Sequence, residues 1–385
     1  MAGDTLVWLG LGWWGAGSAI QWVSAALARN PRPAPGPRHR PDEFSIVAPM
    51  KGAADASPPY VAALQALAHA GAEVLICVAS AEDGAVAATR SFWPEAPILV
   101  GADTTFNPKM NNVRKGLEAA SRPVVALCDA GILLGVDDLR QAAAPLSGTV
   151  GLVLALKAAE APETFAAELE CAYINGHQAR FLFAADRLGL AVASGGVTLM
   201  THETLQRIGN WRGFNRWIAD DYSVTRAVRE LGLATRLGAV MVRMPVGRRL
   251  WRDVWLRQVR WARTRLRLPV WPLVLWEPAI GGAVTGIAGL VGLLALGAGP
   301  ALVVLGLVFH VGAWLCAEKW FMSGRGLALG PRAAVATLVR EGLAPWLMFR
   351  ALVGRRIDWR GTDLGGQWRK EGMGGQGVPY ERNEP

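Results

Sequence analysis

Uncharged apolar runs near both ends constrain this chain more than any other feature. Residues 5–27 (TLVWLGLGWWGAGSAIQWVSAAL) carry no charge over a length that matches a bilayer's hydrocarbon core, which takes roughly 20 helical residues. Residues 279–296 and 301–316 are each apolar enough to cross, and the Gly- and Pro-containing residues 297–300 between them suit a tight turn, so the pair reads as a transmembrane hairpin. A third run, residues 333–353, contains Arg340, Glu341, Pro345 and Arg350. Charges at mid-membrane are costly, and a crossing there would leave Arg355, Arg356 and Arg360 outside, so this run is expected to be re-entrant or interfacial. A mean hydropathy of +0.23 and a charged fraction of 18% agree with an integral membrane protein and exclude a disordered chain.

The first run has no positive stretch before it and no small-residue cleavage site after it, which favours a retained anchor over a signal peptide. Arg29, Arg32, Arg38 and Arg40 follow it; flanking arginines stay cytoplasmic, so the amino terminus is expected outside and the next domain inside. The expected organisation is an anchor (1–28), a stiff Pro/Arg-rich linker (29–43), a cytoplasmic globular domain (44–267) and a carboxy-terminal membrane region with a polar tail (268–385). The net charge of +9 is compatible with nucleic acid, anionic lipid or a phosphorylated substrate. Its basic residues gather around the apolar runs rather than along a groove with stacking aromatics, which argues against nucleic acid. Cys77, Cys128, Cys171 and Cys316 form no CxxC pair, so neither a zinc site nor a disulfide framework is expected.

Between the runs, short β-rich segments alternate with helical ones. Strands are expected at Phe44 to Val47, Glu73 to Val78, Ile98 to Val100 and Val124 to Cys128, with helices at Tyr60 to Ala70 and Lys109 to Ala120. This alternation defines an α/β fold with a mostly parallel sheet flanked by helices, in which ligands bind beyond the carboxyl ends of the strands. Asp83 and Asp129 fall at two such ends, with Glu82 beside the first. Each alone is a favoured turn or N-cap residue; together they offer a crevice one group for a nucleotide and one for a divalent cation. Asp220 and Asp221 open a further helix. No G-x-G-x-x-G, Walker A or Gly-x-Ser-x-Gly motif is present, and no His pair has metal-binding spacing. Downstream, Arg257 and Arg260 share a helix face, flanked by Trp255 and Trp261; such a face can grip a diphosphate or lie on a membrane surface.

The ordered set Lys51-Gly52, Asp83, Asn107-Pro108-Lys109-Met110-Asn111-Asn112, Cys128-Asp129-Ala130-Gly131, His177, Asp220-Asp221-Tyr222 and Arg257-x-x-Arg260-Trp261 resembles the ceramide glucosyltransferases of glycosyltransferase family 21. The likeness runs from about Phe44 to Arg267, and more weakly onward through Arg340-Glu341 and Ile357-Asp358-Trp359-Arg360. It implies a GT-A nucleotide-sugar-binding domain on a membrane-bound, inverting enzyme. It further implies that Asp83 contacts the uridine of a UDP-sugar, that Asp129 holds Mg²⁺ or Mn²⁺ at the diphosphate, and that Asp221 is the general base. Arg257, Arg260 and Trp261 would line the diphosphate and acceptor, His177 would lie near the active site, and Lys109 and Lys51 would join the donor-binding set. The second aspartate sits in Asp-Ala-Gly, without the second carboxylate two residues on that hopanoid-associated relatives usually show.

The expected reaction is transfer of a hexose, glucose by family default, from a UDP-sugar to the primary hydroxyl of ceramide. Glucuronic acid or galactose as the sugar, and a hopanoid or diacylglycerol as the acceptor, remain open, as does a non-catalytic membrane protein that binds nucleotide sugars or anionic lipid. A processive polysaccharide synthase would normally carry more membrane segments and Gln in place of Arg257. The Ala/Gly/Arg-rich composition points to a bacterial inner membrane.

Overall fold

A computed structural model describes residues 2–34, 36, 39–101, 107–192, 194–354, 356–359 and 362–363. Arg38, Arg355 and Arg360 lie outside the described residues. The chain forms two compact units, Met1–Asn30 with Ala161–Ala184 and Val246–Arg355, and Pro31–Glu160 with Ala185–Pro245 and Arg356–Pro385.

Helix α1 (Ala2–Arg29) opens the first unit. The chain then lays down β1 (Phe44–Pro49), α2 (Pro58–His69), β2 (Glu73–Val78), α3 (Gly84–Phe92), β3 (Ile98–Val100), α4 (Pro108–Ala119), β4 (Val124–Cys128), α5 (Val136–Ala143) and β5 (Val150–Ala155). It leaves this second unit along β6 (Lys157–Pro162) for α6 (Phe165–Cys171), a π-helical segment (Ala172–Gln178) and α7 (Ala179–Arg187). It returns for β7 (Val197–Thr201), α8 (His202–Arg207), α9 (Asp220–Glu230) and β8 (Ala234–Leu237), and departs again along β9 (Val242–Gly247). The first unit ends with α10 (Trp251–Arg265), α11 (Trp271–Trp276), α12 (Gly282–Ala295), α13 (Pro300–Gly324) and α14 (Pro331–Val353), before a short antiparallel pair, β10 (Asp358–Trp359) and β11 (Thr362–Asp363).

The sheet of the second unit runs β3-β2-β1-β4-β7-β5-β8. All neighbours are parallel except β7, which is antiparallel to both β4 and β5. β1 is buried along its whole length, as expected of a central strand covered on both faces. Its Phe44, Ile46 and Ala48 join Tyr60 and Leu64 of α2 and Leu139 of α5 in one core. The strands and helices expected from the alternation are present, with α2 and α4 each starting two residues or fewer from the expected position. Local chemistry explains their starts. Pro58 and Pro59 open α2 after Ser57, because proline lacks the N–H that a first turn leaves unpaired anyway. Asn107 caps α4 by accepting from the Lys109 amide, with Pro108 next in line.

In the first unit, α1 packs on α12 through small residues. A Cβ at Gly10 would meet the α12 backbone at Ala288 and Gly292, and one at Gly292 would meet the Leu11 amide 2.8 Å away. Close approach of this kind is how helices gain contact where neither gains by leaving water. Gly292→Leu is therefore expected to separate α1 from α12 and lower the thermal midpoint of the detergent-purified protein; an unchanged midpoint would show that this contact contributes nothing to stability. Among the described residues, one helix, Pro300–Gly324, is long and apolar enough to cross a membrane. Helix α12 is apolar but only 14 residues long.

Arg340 and Glu341 of α14 are internal, whereas its Arg332 and Arg350 are exposed. Arg340 is 1% exposed and donates to Glu318 Oε1 at 2.9 Å, to Glu341 Oε1 at 2.6 Å and to the Ala172 carbonyl of the π-helix at 2.7 Å. Glu341 accepts the Gly282 amide at 2.6 Å, and Arg180 lies 3.5 Å from Glu318. Two arginines and two glutamates thus cancel within the unit, while Val335, Leu338, Trp346, Phe349, Leu352 and Val353 of α14 are exposed. Apolar helices wrapped around a paired, hydrogen-bonded core avoid the main cost of burying charge.

Candidate active site

The second unit gathers its carboxylates at the carboxyl ends of β1, β2 and β4. Asp83 follows β2 and caps α3 by accepting from the Ala85 amide at 2.9 Å; the same oxygen accepts from the Gly52 amide at 2.7 Å. Gly52 has φ +78°, a left-handed backbone conformation that glycine tolerates, and Lys51 beside it donates its amide to Asp55. Asp83 is therefore both the cap expected of an isolated aspartate and a tie between the β1 and β2 ends.

Asp129 follows β4, and Asp220 and Asp221 form the first turn of α9. Lys109 joins them: its Nζ lies 3.2 Å from Asp129 Oδ1 and 2.6 Å from Asp220 Oδ2. A lysine in the first turn of a helix opposes the macrodipole, and here two carboxylates supply the compensation. The NPKxNN segment can be read residue by residue. Asn107 caps α4, Pro108 starts it, Lys109 enters the cluster, and Asn112 donates to the Met50 carbonyl at the end of β1 at 3.1 Å.

Two residues missed in the sequence complete the cluster. Gly195 donates its amide to Asp221 Oδ2 at 2.9 Å, and Gly196 donates to Asp129 Oδ2 at 3.1 Å. Both have positive φ, +46° and +122°, which turns successive N–H groups toward the carboxylates as a small nest. The Gly-Gly pair before an apolar run was the available signal. Lys157 was also missed; its charge, after that of Lys109, helps hold the Asp129 carboxyl below its ordinary range against the opposing effect of burial.

Asp221 is different. Burial, then repulsion from Asp220 and Asp129, raises it to about 7, although the Lys109 ammonium and the Gly195 amide pull the other way. Lys109 itself is held protonated by Asp129, Asp220 and Asp221, which together outweigh its burial. The cluster thus sets a carboxylate that titrates near neutrality beside one that stays ionised, the division of labour that acid–base chemistry needs.

Among the described residues, no three His, Cys, Asp or Glu side chains converge as a metal cage. Asp129, 30% exposed at its side chain, remains available as a single carboxylate ligand. That fits a hard divalent cation completed by substrate phosphates and water rather than by protein alone.

The first unit holds the other expected residues. Arg257 on α10 is bound to Glu170, a glutamate absent from the sequence expectations. Arg260 and Trp261 lie one turn on, both partly buried. His177, in the π-helical segment, stacks edge-on with Phe181 and lies 3.9 Å from Glu277. π-Helical turns recur at functional sites.

A seven-stranded, mostly parallel sheet with acidic residues beyond its strand ends is the GT-A glycosyltransferase arrangement. The chain belongs to glycosyl transferase family 21, whose model matches residues 13–371. It is 23% identical over 309 residues to ceramide glucosyltransferase 1 of Caenorhabditis elegans, covering 77% of this chain and 66% of that protein. To ceramide glucosyltransferase 3 of the same organism it is 24% identical over 326 residues, covering 80% and 68%. The chain thus spans about two thirds of the length of these relatives. A mannosyltransferase from Pyrobaculum calidifontis, solved in complex with GDP-Man and Mn²⁺, shares the fold with a TM-score of 0.52 at 18% identity, over 90% of this chain and 99% of its own.

Proposed function

We propose that this glycosyltransferase moves a hexose, glucose first among them, from a UDP-sugar to the primary hydroxyl of ceramide, with inversion at the anomeric carbon. The observation that carries the reading is Asp221, a carboxylate raised to about 7 beside the ionised Asp129 at the sheet's carboxyl edge. The names of the two Caenorhabditis elegans relatives support ceramide and glucose.

In this mechanism Asp221 takes the proton of the acceptor hydroxyl as its oxygen bonds to the anomeric carbon. The bond from that carbon to UDP breaks on the opposite side, and its electron pair leaves with the diphosphate. Asp83 contacts the uridine portion, while Lys51 and Lys109 belong to the donor-binding set. Asp129, with the donor phosphates, would hold a divalent cation, Mg²⁺ or Mn²⁺, which supplies charge neutralisation at the leaving group. Arg257, Arg260 and Trp261 serve the diphosphate and acceptor, and His177 belongs near the active site.

The apolar helices are proposed to anchor the enzyme in a membrane, with α1 and the α12–α13 pair crossing, α14 re-entrant or interfacial, and the catalytic part cytoplasmic. A bacterial inner membrane suits the composition. Incubating the purified full chain with a panel of UDP-sugars and lipid acceptors, read by mass spectrometry, tests the reading directly. β-Glucosylceramide from UDP-α-glucose is the expected product; a glycosylated hopanoid or diacylglycerol would replace ceramide as the acceptor, and no UDP release with any lipid would remove the catalytic reading.

A further inference from the structure

Leu188 and Leu190 stand 63% and 59% exposed on a tight turn of the second unit. Both amides donate to the Ala185 carbonyl, at 3.1 and 2.8 Å, so the two side chains sit on a hydrogen-bonded tip rather than a loose loop. A lone exposed leucine needs no explanation, but two on one tip beside clustered arginines form an apolar wedge with a basic rim.

The rim is built around Asp186. Arg32 donates to its carbonyl at 3.0 Å, and Arg236 Nε lies 3.6 Å from its carboxylate, which also accepts the Leu237 amide at 3.0 Å. Asp186 is 4% exposed at its side chain, so its one charge is neutralised inside the cluster. Arg187 follows it in the chain. Burial, and after it the charges of Arg32 and Arg187, weaken the hold of the Arg236 guanidinium on its proton against the pull of Asp186. Three guanidiniums around one buried carboxylate leave the surface beside the leucines positive.

The occupant follows from place in the chain and in the sheet. Arg32 belongs to the linker, three residues after the end of α1 in sequence. Basic residues directly after an anchor meet the anionic headgroups of the cytoplasmic leaflet, and leucines among them enter the boundary between headgroups and acyl chains. Nucleic acid would match the arginines and leave the leucines in water. β8 is parallel to β5, and β7 is antiparallel to both β5 and β4, so the carboxyl ends of β4 and β8 share one edge of the sheet. Arg236 and Leu237 close β8 on the edge where Asp129 follows β4. A lipid acceptor has to reach that edge from a membrane surface.

We propose that Leu188 and Leu190, rimmed by Arg32, Arg187 and Arg236, dock the second unit on an anionic lipid surface. Docking there holds the carboxyl edge of the sheet close to the lipid that supplies the acceptor. The choice of occupant rests on the membrane reading above.

The test is cysteine accessibility in the full chain, reconstituted into nanodiscs of phosphatidylcholine with or without phosphatidylglycerol. Cys77, Cys128 and Cys171 are buried, so Cys316→Ala gives a quiet background for Leu188→Cys. Alkylation by an uncharged, water-soluble maleimide is expected to slow about tenfold when phosphatidylglycerol is present, and to recover in high salt. Leu190→Cys repeats the measurement independently. Glu95→Cys, exposed before β3 at the opposite edge of the sheet, should react alike in both discs. With Arg32→Gln and Arg187→Gln added, the rates at positions 188 and 190 should no longer depend on lipid charge. Equal rates in both lipids without those two substitutions would overturn the proposal, as would slowing that survives them. Slowing that follows protein concentration in detergent, without lipid, would assign the tip to a second copy of the chain and overturn it too. Protection by phosphatidylglycerol in a chain that alkaline carbonate strips from vesicles would remove the anchor reading and leave the docking surface. A chain that resists carbonate but shows no such protection would remove the docking surface and leave the anchor.

Discussion

Asp221→Asn is expected to lower kcat by roughly 10²–10⁴-fold, the range a positioned general base supplies, while UDP affinity stays near that of the wild type. The asparagine oxygen can still accept from the Gly195 amide, so the cluster keeps its shape and loses only the proton acceptor. The wild-type rate should rise with pH through about 7, because the base acts deprotonated. Stability should run the opposite way. A carboxyl raised in the folded state favours the protonated form, so its contribution is complete below the ordinary carboxylate range and is lost as pH rises through about 7. The asparagine variant carries no charge to repel Asp220 and Asp129, and at pH 8 its thermal midpoint should equal or exceed that of the wild type. Joint loss of UDP affinity and stability would show that Asp221 supports the fold or the donor rather than the proton transfer.

Lys109→Met should have the second largest effect, and on both activity and stability. The substitution leaves Asp129, Asp220 and Asp221 facing one another without the ammonium that pairs with the first two. Removing one partner of a buried pair costs roughly 3–5 kcal/mol, and less here, where Lys109 keeps 21% of its side chain exposed. Lys109 also pulls Asp221 downward, so its loss should move the acid limb of the pH–rate profile above 7. Asp220→Asn removes the largest repulsion on Asp221 and should move the same limb below 7. Opposite displacements in the two variants, measured on one substrate, are the signature of a shared electrostatic cluster. Displacement in the same direction, or none, would mean that the limb belongs to another group.

Much of the fold was legible in the sequence where local preference and burial point the same way. β1, β2 and β4 are short, apolar and rich in branched residues, and Gly, Pro or acidic residues end them, so both their existence and their bounds could be read. The later half of the sheet was harder. β7 lies antiparallel between β4 and β5, and β8 pairs with β5, arrangements set by partners far away in sequence. Asp83, Asp129 and Asp221 were legible as acids at the ends of apolar runs. Glu170 was not, because a glutamate within a helical stretch has the commonest pattern of a solvated face, and only its burial against two arginines marks it. The charges of Arg340 and Glu341 count against burial in lipid when read along the chain, yet Glu318 and the π-helix carbonyl of Ala172 accept from Arg340, and Glu341 accepts from Arg340 and from the distant Gly282 amide.

By itself, the order of side chains determined the apolar helices, the strand-and-helix alternation and the residue types a sugar-nucleotide chemistry needs. These are properties of short segments, governed by hydrophobic periodicity, capping and backbone preference, and they persist whatever the rest of the chain does. Tertiary structure alone decided that Lys109 bridges Asp129 and Asp220, that tandem glycines turn their amides toward Asp129 and Asp221, and that Asp221 titrates near neutrality. The reason is that proton affinity depends on the field and solvation at one point in space. Lys109 and Asp220, 111 positions apart, contribute to that field only after the sheet has brought them within a few ångströms.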